Sequence, residues 1–140
     1  ALDVSVQAKV IKTLMKLQQE LNLSYLFITH DLSLMRNVAS RVAIMYLGKI
    51  YEYAPTSAFF HNPLHPYTKM LLSSVPVLTD EEEALKSEGV RSTGEVPSAI
   101  NPPSGCRFHT RCAFAKNSCK VKEPEFVMIE SEHYVACHLY

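Results

Sequence analysis

Residues 4–31, VSVQAKVIKTLMKLQQELNLSYLFITHD, decide the fold class of this 140-residue chain. Val6, Val10, Leu14, Leu17 and Leu21 recur three and four apart, with Lys9, Lys12, Lys16 and Glu20 largely between them. That is the period of an amphipathic helix. Asp3 precedes it as an N-cap and Asn22 follows as a stop. Ser24–Thr29 is then a short run rich in β-branched and aromatic residues, which predicts a buried strand. A helix feeding a strand places the segment at the end of an α/β domain.

Working outward, Asp31 caps a second helix through about Ala39. Arg41–Tyr46, the turn Leu47-Gly48-Lys49 and Ile50–Tyr53 predict a β-hairpin. Pro55 restarts a short helix carrying Phe59 and Phe60, and NPLHPY at 62–67 breaks it before an apolar helix from Thr68 to Ser74, which Pro76 ends. From Asp80 to Gly94 the chain is acidic and then polar, with Glu81, Glu82, Glu83 and Glu88 and no apolar stripe, as in a solvated linker. After Glu95 prolines and cysteines dominate, which predicts an irregular segment held by cross-links or metal. The expected organisation is therefore residues 1–55, 56–94 and 95–140.

With 47% apolar residues the chain can bury one core. Lysine plus arginine equals aspartate plus glutamate at 14 each, so no bulk positive field draws nucleic acid or acidic lipid. No apolar run approaches the roughly 20 residues of a membrane span, and the start lacks the order of a secretory signal. Ala1-Leu2-Asp3 enters a helical pattern without an initiator methionine, which predicts a fragment or processed product.

A strand over Tyr25–Thr29 delivers His30 to a C-terminal sheet edge, where ligands of open α/β sheets bind. There an imidazole can donate to a phosphate oxygen or position water. Alone, a histidine before a capping aspartate is more often structural. Gly48-Lys49 lacks the rest of a G-x-x-x-x-G-K-[ST] phosphate loop and reads as a hairpin turn. His65 between two prolines reads as a packing or turn residue, and Tyr67 as core.

Ala1-Leu2-Asp3, a helix, a strand and then Thr29-His30-Asp31 together resemble ABC-transporter ATPases, in which an ALD turn called the D-loop precedes the switch histidine. The resemblance implies a P-loop-type nucleotide-binding domain, with Asp3 at the interface between two such domains and His30 on the γ-phosphate of ATP. The segments 62–68, NPLHPYT, and 101–106, NPPSGC, are similar to the C-terminal extension of oligopeptide and dipeptide importer ATPases. That implies ATP and magnesium as cofactors of the full-length protein, a second ATP-binding subunit and transmembrane permease subunits as partners, and a cytoplasmic position on the inner membrane face. The phosphate loop, glutamine loop, signature and acidic pair of that family would precede Ala1, so the chain alone is expected to bind ATP weakly and not to hydrolyse it.

Cys106-x5-Cys112-x6-Cys119-x17-Cys137 offers four soft ligands, enough for tetrahedral zinc or an iron–sulfur cluster. The spacing matches neither zinc ribbons nor common ferredoxin runs. Two disulfides are the alternative, disfavoured in a reducing cytoplasm. The resemblance implies a [4Fe-4S] cluster, because some peptide-importer ATPases hold one on corresponding cysteines. His109, His133 or His138 could replace a thiolate, and Arg107, Arg111, Lys116 and Lys120 could offset its charge. Two functional classes follow: an energy-coupling ATPase subunit, or a metal-bearing regulatory or interaction module built on an ATPase remnant.

Overall fold

The structure is a computed structural model that describes residues 4–74 and 94–140. Asp3, Pro76 and the acidic stretch from Asp80 lie outside the described residues. The chain divides into two compact units, one ending at Ala39 and the other spanning Ser40–Tyr140.

In the first unit, helix α1 (Val4–Leu21) follows the apolar period, although Ile11, Leu14 and Met15 are half-buried while Val6, Val10, Leu17 and Leu21 stay exposed. It stops at Asn22, which takes a left-handed φ of 50° while the Leu23 N–H donates to Gln18 O at 3.0 Å. Asparagine tolerates that conformation, and the six-residue bond covers a carbonyl the helix leaves orphaned. Helix α2 (Leu32–Val38) starts where Asp31 Oδ1 accepts the Leu34 N–H at 3.0 Å. Between them the expected strand does not form: residues 23–29 carry no ladder, and Leu26 and Ile28 are 90% and 94% exposed. A strand has no internal hydrogen bonds and needs a partner, and none pairs with it among the described residues.

The second unit is built on a four-stranded antiparallel sheet in the order β1-β2-β4-β3, so the protein is mixed α/β. Strands β1 (Arg41–Tyr46) and β2 (Lys49–Pro55) form the expected hairpin. Its two-residue turn has positive φ at both Leu47 (46°) and Gly48 (80°), the twist that antiparallel strands prefer. Along β1, Val42, Ile44 and Tyr46 are buried while Arg41, Ala43 and Met45 face out, the period-two pattern of a half-covered sheet. Helix α3 (Thr56–His61) buries Phe59, and helix α4 (Pro66–Ser73) begins with proline, whose missing N–H costs nothing in a first turn.

The cysteine-rich end is more regular than its composition predicts. Helix α5 (Asn117–Val121) precedes a second hairpin, β3 (Phe126–Glu130) and β4 (His133–Ala136). Strand β4 pairs with β2, Glu52 opposite Val135 and Tyr53 opposite Tyr134. Segments some eighty residues apart in sequence thus share one sheet. Tyr46, Tyr51, Cys106, Phe108, Cys119 and Ala136 form a buried cluster, joined by Leu47, Tyr67, Met70 and Cys112. Phe108 lies edge-on to Tyr46 at 5.5 Å and tilted to Tyr67 at 5.2 Å. Burying such a side chain contributes roughly 1.5–3 kcal/mol. Among the described residues no helix is long and apolar enough to cross a membrane.

Candidate functional site

Two places carry chemistry. The first is the turn before α2. Thr29 Oγ1 accepts the Asp31 N–H at 3.0 Å and Asp31 caps the helix, so both neighbours of His30 serve the turn. His30 itself is exposed. The turn therefore presents the imidazole outward on a fixed backbone, and Asp3, the other residue singled out for nucleotide chemistry, lies outside the described residues.

The second place is the cysteine region. Gly105, at φ 65°, begins it: a Cβ there would stand 2.4 Å from Cys119 O. Only glycine permits that approach, and it lets the Cys106 N–H donate to Cys119 O at 2.8 Å while Ser104 Oγ donates to Lys120 O at 2.7 Å. Two segments thirteen residues apart are thereby clamped together. Tight turns then carry the chain from Cys106 to Cys112, with the His109 N–H on Cys106 O at 2.9 Å and the Arg111 N–H on Phe108 O at 3.0 Å.

All four cysteines are free thiols, Cys106 and Cys119 buried, Cys112 and Cys137 half-buried. They lie within electrostatic reach of one another. Burial pushes the Cys137 thiol up to about 11, with the other three sulfurs adding to the shift. Burial likewise raises Cys106, which also senses Cys119 and Cys112, and raises Cys112, which senses Cys119.

Each sulfur also faces a backbone amide. The N–H groups of Phe108, Phe114 and Leu139 favour the thiolates of Cys106, Cys112 and Cys137 respectively, each two residues ahead of its cysteine. The Lys116 N–H donates to Cys119 Sγ at 3.4 Å. An amide aimed at sulfur stabilises a thiolate, the ligand form, and orients its lone pairs. By type, thiolates are the soft donors that thiophilic metals prefer. Among the described residues, no three His, Cys, Asp or Glu side chains are grouped as for holding a metal ion.

His109, His138, Lys116 and Arg107 have other partners. His109 Nδ1 meets Cys106 O at 2.8 Å and His138 Nε2 meets Lys122 O at 2.9 Å. Lys116 Nζ donates to His138 O at 3.2 Å, and the Arg107 guanidinium donates to Leu47 O.

His133 is committed elsewhere, to a group that residue patterning missed. Glu52, fully buried, accepts His133 Nε2 at 2.8 Å, the Leu64 N–H at 2.9 Å and the His65 N–H at 2.8 Å. This carboxylate ties β2 to β4 and to the loop entering α4. Its only sequence signal is an acid at an inward position of a strand. His65 then caps α4, its Nδ1 accepting the Tyr67 N–H at 3.0 Å, and burial lowers its pKa to about 3. The packing role expected of His65 is the one it has. Tyr67 is half-buried against Tyr46 at 4.7 Å.

Residues 51–119 match the family described as "Oligopeptide/dipeptide transporter, C-terminal region". The whole chain is 54% identical to the oligopeptide transport ATP-binding protein AppF of Bacillus subtilis (strain 168), covering 42% of that protein. It is 49% identical to the putative oligopeptide transport ATP-binding protein YkfD of the same organism, again with 100% of this chain and 42% of the relative. With the dipeptide transport ATP-binding protein DppF of Haemophilus influenzae (strain ATCC 51907 / DSM 11121 / KW20 / Rd) it shares 47% identity over 98% of this chain and 41% of the relative. The chain spans less than half the length of these relatives. The segment holding Glu52, His65, Phe108 and three of the four cysteines thus belongs to the oligopeptide/dipeptide transporter C-terminal-region family.

Proposed function

We propose that the chain is part of the ATP-binding, energy-coupling subunit of an ABC importer for oligopeptides or dipeptides. The observation that carries this is similarity over 137 to 140 residues to proteins named as oligopeptide or dipeptide transport ATP-binding proteins. On this reading the segment belongs to a P-loop-type nucleotide-binding domain that works in the cytoplasm, on the inner membrane face, docked to permease subunits and paired with a second ATP-binding subunit. His30, held outward by the Thr29 and Asp31 turn, contacts the γ-phosphate of ATP bound with magnesium. Asp3 lies at the interface with the second subunit. The 140 residues contain no G-x-x-x-x-G-K-[ST] loop, so phosphate binding and most of catalysis fall to a segment that this chain must be joined to.

A chimera tests this. In Bacillus subtilis AppF, the matching 42% is replaced by this chain and the product is assembled with its permease. Peptide-stimulated ATP hydrolysis is expected, and His30→Ala should lower turnover by about a hundredfold or more while ATP still binds. Turnover unchanged by His30→Ala sinks the assignment of the switch. The isolated chain should show no tight Mg-ATP binding by equilibrium dialysis.

A second reading concerns the cysteines, and the four amide–sulfur contacts favour it. Cys106, Cys112, Cys119 and Cys137 together hold a [4Fe-4S] cluster, with structural zinc as the other candidate. Such a centre would anchor the segment and supply an electron-transfer or redox-sensitive group. Iron, zinc and acid-labile sulfide counts on anaerobically purified protein decide: about four irons and four sulfides support the cluster, stoichiometric zinc replaces it, and metal-free protein removes both.

A further inference from the structure

His30 sits between two segments with little tertiary support. Residues 23–29 carry no ladder, and helix α2 buries none of its seven residues. So short a helix without a buried face is marginal on its own propensity, and where it starts depends on hydrogen bonds made locally. Two such bonds flank the histidine.

Thr29 Oγ1 accepts the Asp31 N–H at 3.0 Å, which closes a turn with His30 as its middle residue. Threonine and serine hydroxyls close turns in this way. One residue on, Asp31 takes the extended conformation of an N-cap, φ −89° and ψ 98°, with Oδ1 on the Leu34 N–H at 3.0 Å and its carbonyl accepting the Met35 N–H at 3.3 Å. The backbone on the C-terminal side of His30 is thus held to the helix, and the Thr29 hydroxyl holds that amide back to the residue before. Neither bond uses the imidazole, which stays exposed. The direction in which the side chain leaves the chain is set by its two neighbours.

We infer that Thr29 is a positioning residue for His30: by holding the Asp31 N–H, its oxygen fixes the backbone from which the imidazole reaches the transferring phosphate. This rests on the reading of His30 as the group on the γ-phosphate of ATP. A side chain aimed in advance reaches the transition state without first being ordered, so the hydroxyl acts on turnover and leaves nucleotide affinity alone. The Asp31 amide is exposed, and water replaces the threonine oxygen when that is removed. The loss is then that of one net hydrogen bond, about three- to tenfold as a rate.

The test uses the chimera with Bacillus subtilis AppF assembled with its permease, and reads kcat and KM for ATP. Thr29→Val keeps the branched shape and removes the acceptor, so kcat should fall about three- to tenfold with KM for ATP unchanged. Thr29→Ser restores the oxygen and should restore kcat. Because Thr29 acts through the imidazole, Thr29→Val should cost nothing further when His30→Ala is already present, which a merely structural role would not give. A Thr29→Val chimera with kcat equal to that of the unsubstituted one, or an equal fractional loss with and without His30→Ala, overturns the role of Thr29 and leaves the His30 reading intact. Turnover unmoved by His30→Ala overturns the His30 reading and this proposal with it. Should Thr29→Val not assemble, Thr29→Ala removes the same oxygen with less apolar surface and decides by the same comparison.

Discussion

Replacing Glu52 with glutamine should destabilise the Ser40–Tyr140 unit far more than its isosteric shape suggests. In the native protein Oε1 accepts both the Leu64 N–H at 2.9 Å and His133 Nε2 at 2.8 Å, and Oε2 accepts the His65 N–H at 2.8 Å. A glutamine can keep its oxygen where two donors converge. Its NH2 must then face the His65 N–H, leaving a buried donor unpaired at a cost of about 1–3 kcal/mol. The other two bonds fall from charge-assisted to neutral, losing about 1 kcal/mol each. Together these give roughly 3–5 kcal/mol. For a unit of this size each kcal/mol lowers Tm by about 4–8 °C, so a fall of at least about 12 °C is expected by circular dichroism. Urea unfolding supplies the free energy directly, and a double-mutant cycle with His133→Ala should give a coupling of at least about 1 kcal/mol. A loss below about 1 kcal/mol, or no coupling, would show that Glu52 does not organise the sheet and the loop entering α4.

Four further outcomes follow from the structure. Gly105→Ala places a methyl 2.4 Å from Cys119 O at a left-handed φ, so it should cost more than about 2 kcal/mol and open the cysteine region, read as faster thiol alkylation. In metal-free protein the raised Cys137 thiol binds its proton more tightly when folded than when unfolded. Its stabilisation is complete below the ordinary value of 9.0 and disappears as pH rises towards about 11, which alkaline unfolding curves should record. His65 behaves in the opposite sense: its pKa is lowered from 6.5 to about 3, so stability should fall as pH drops through that window, and His65→Asn, which can still cap α4, should flatten the acid slope. Finally, Leu26 and Ile28 are exposed on an extended backbone without a strand partner, so the chain should self-associate at high concentration. Light scattering should show less association for Leu26→Lys with Ile28→Lys; equal scattering would place the sticky surface elsewhere.

What could be read from residue order is what depends on neighbours in the chain. Helix α1 follows a three-and-four period, Asn22 stops it, Asp31 caps α2, and Gly48 turns the hairpin, because each of these acts within a few residues. The cysteines were equally legible as a chemical set. Pairing between distant segments was not. Ser24–Thr29 has strand composition yet remains extended without a ladder, since a strand is completed by a partner that composition does not supply. The end of the chain, read as irregular, forms β3 and β4 because β2 offers β4 an edge to pair with.

The candidate site divides in the same way. Sequence supplied four thiols and a histidine in a Thr-His-Asp context, together with the likeness to peptide-importer ATPases. Tertiary structure decided which groups surround them: Gly105 admits the close passage of Cys119 O, Tyr51 reaches from the sheet to the Arg107 N–H beside Cys106, and His133 bonds Glu52. A side chain's chemical type is fixed by its own residue. Its hydrogen-bond partner is fixed by whichever segments pack within about 3 Å, and only the folded chain brings those segments together.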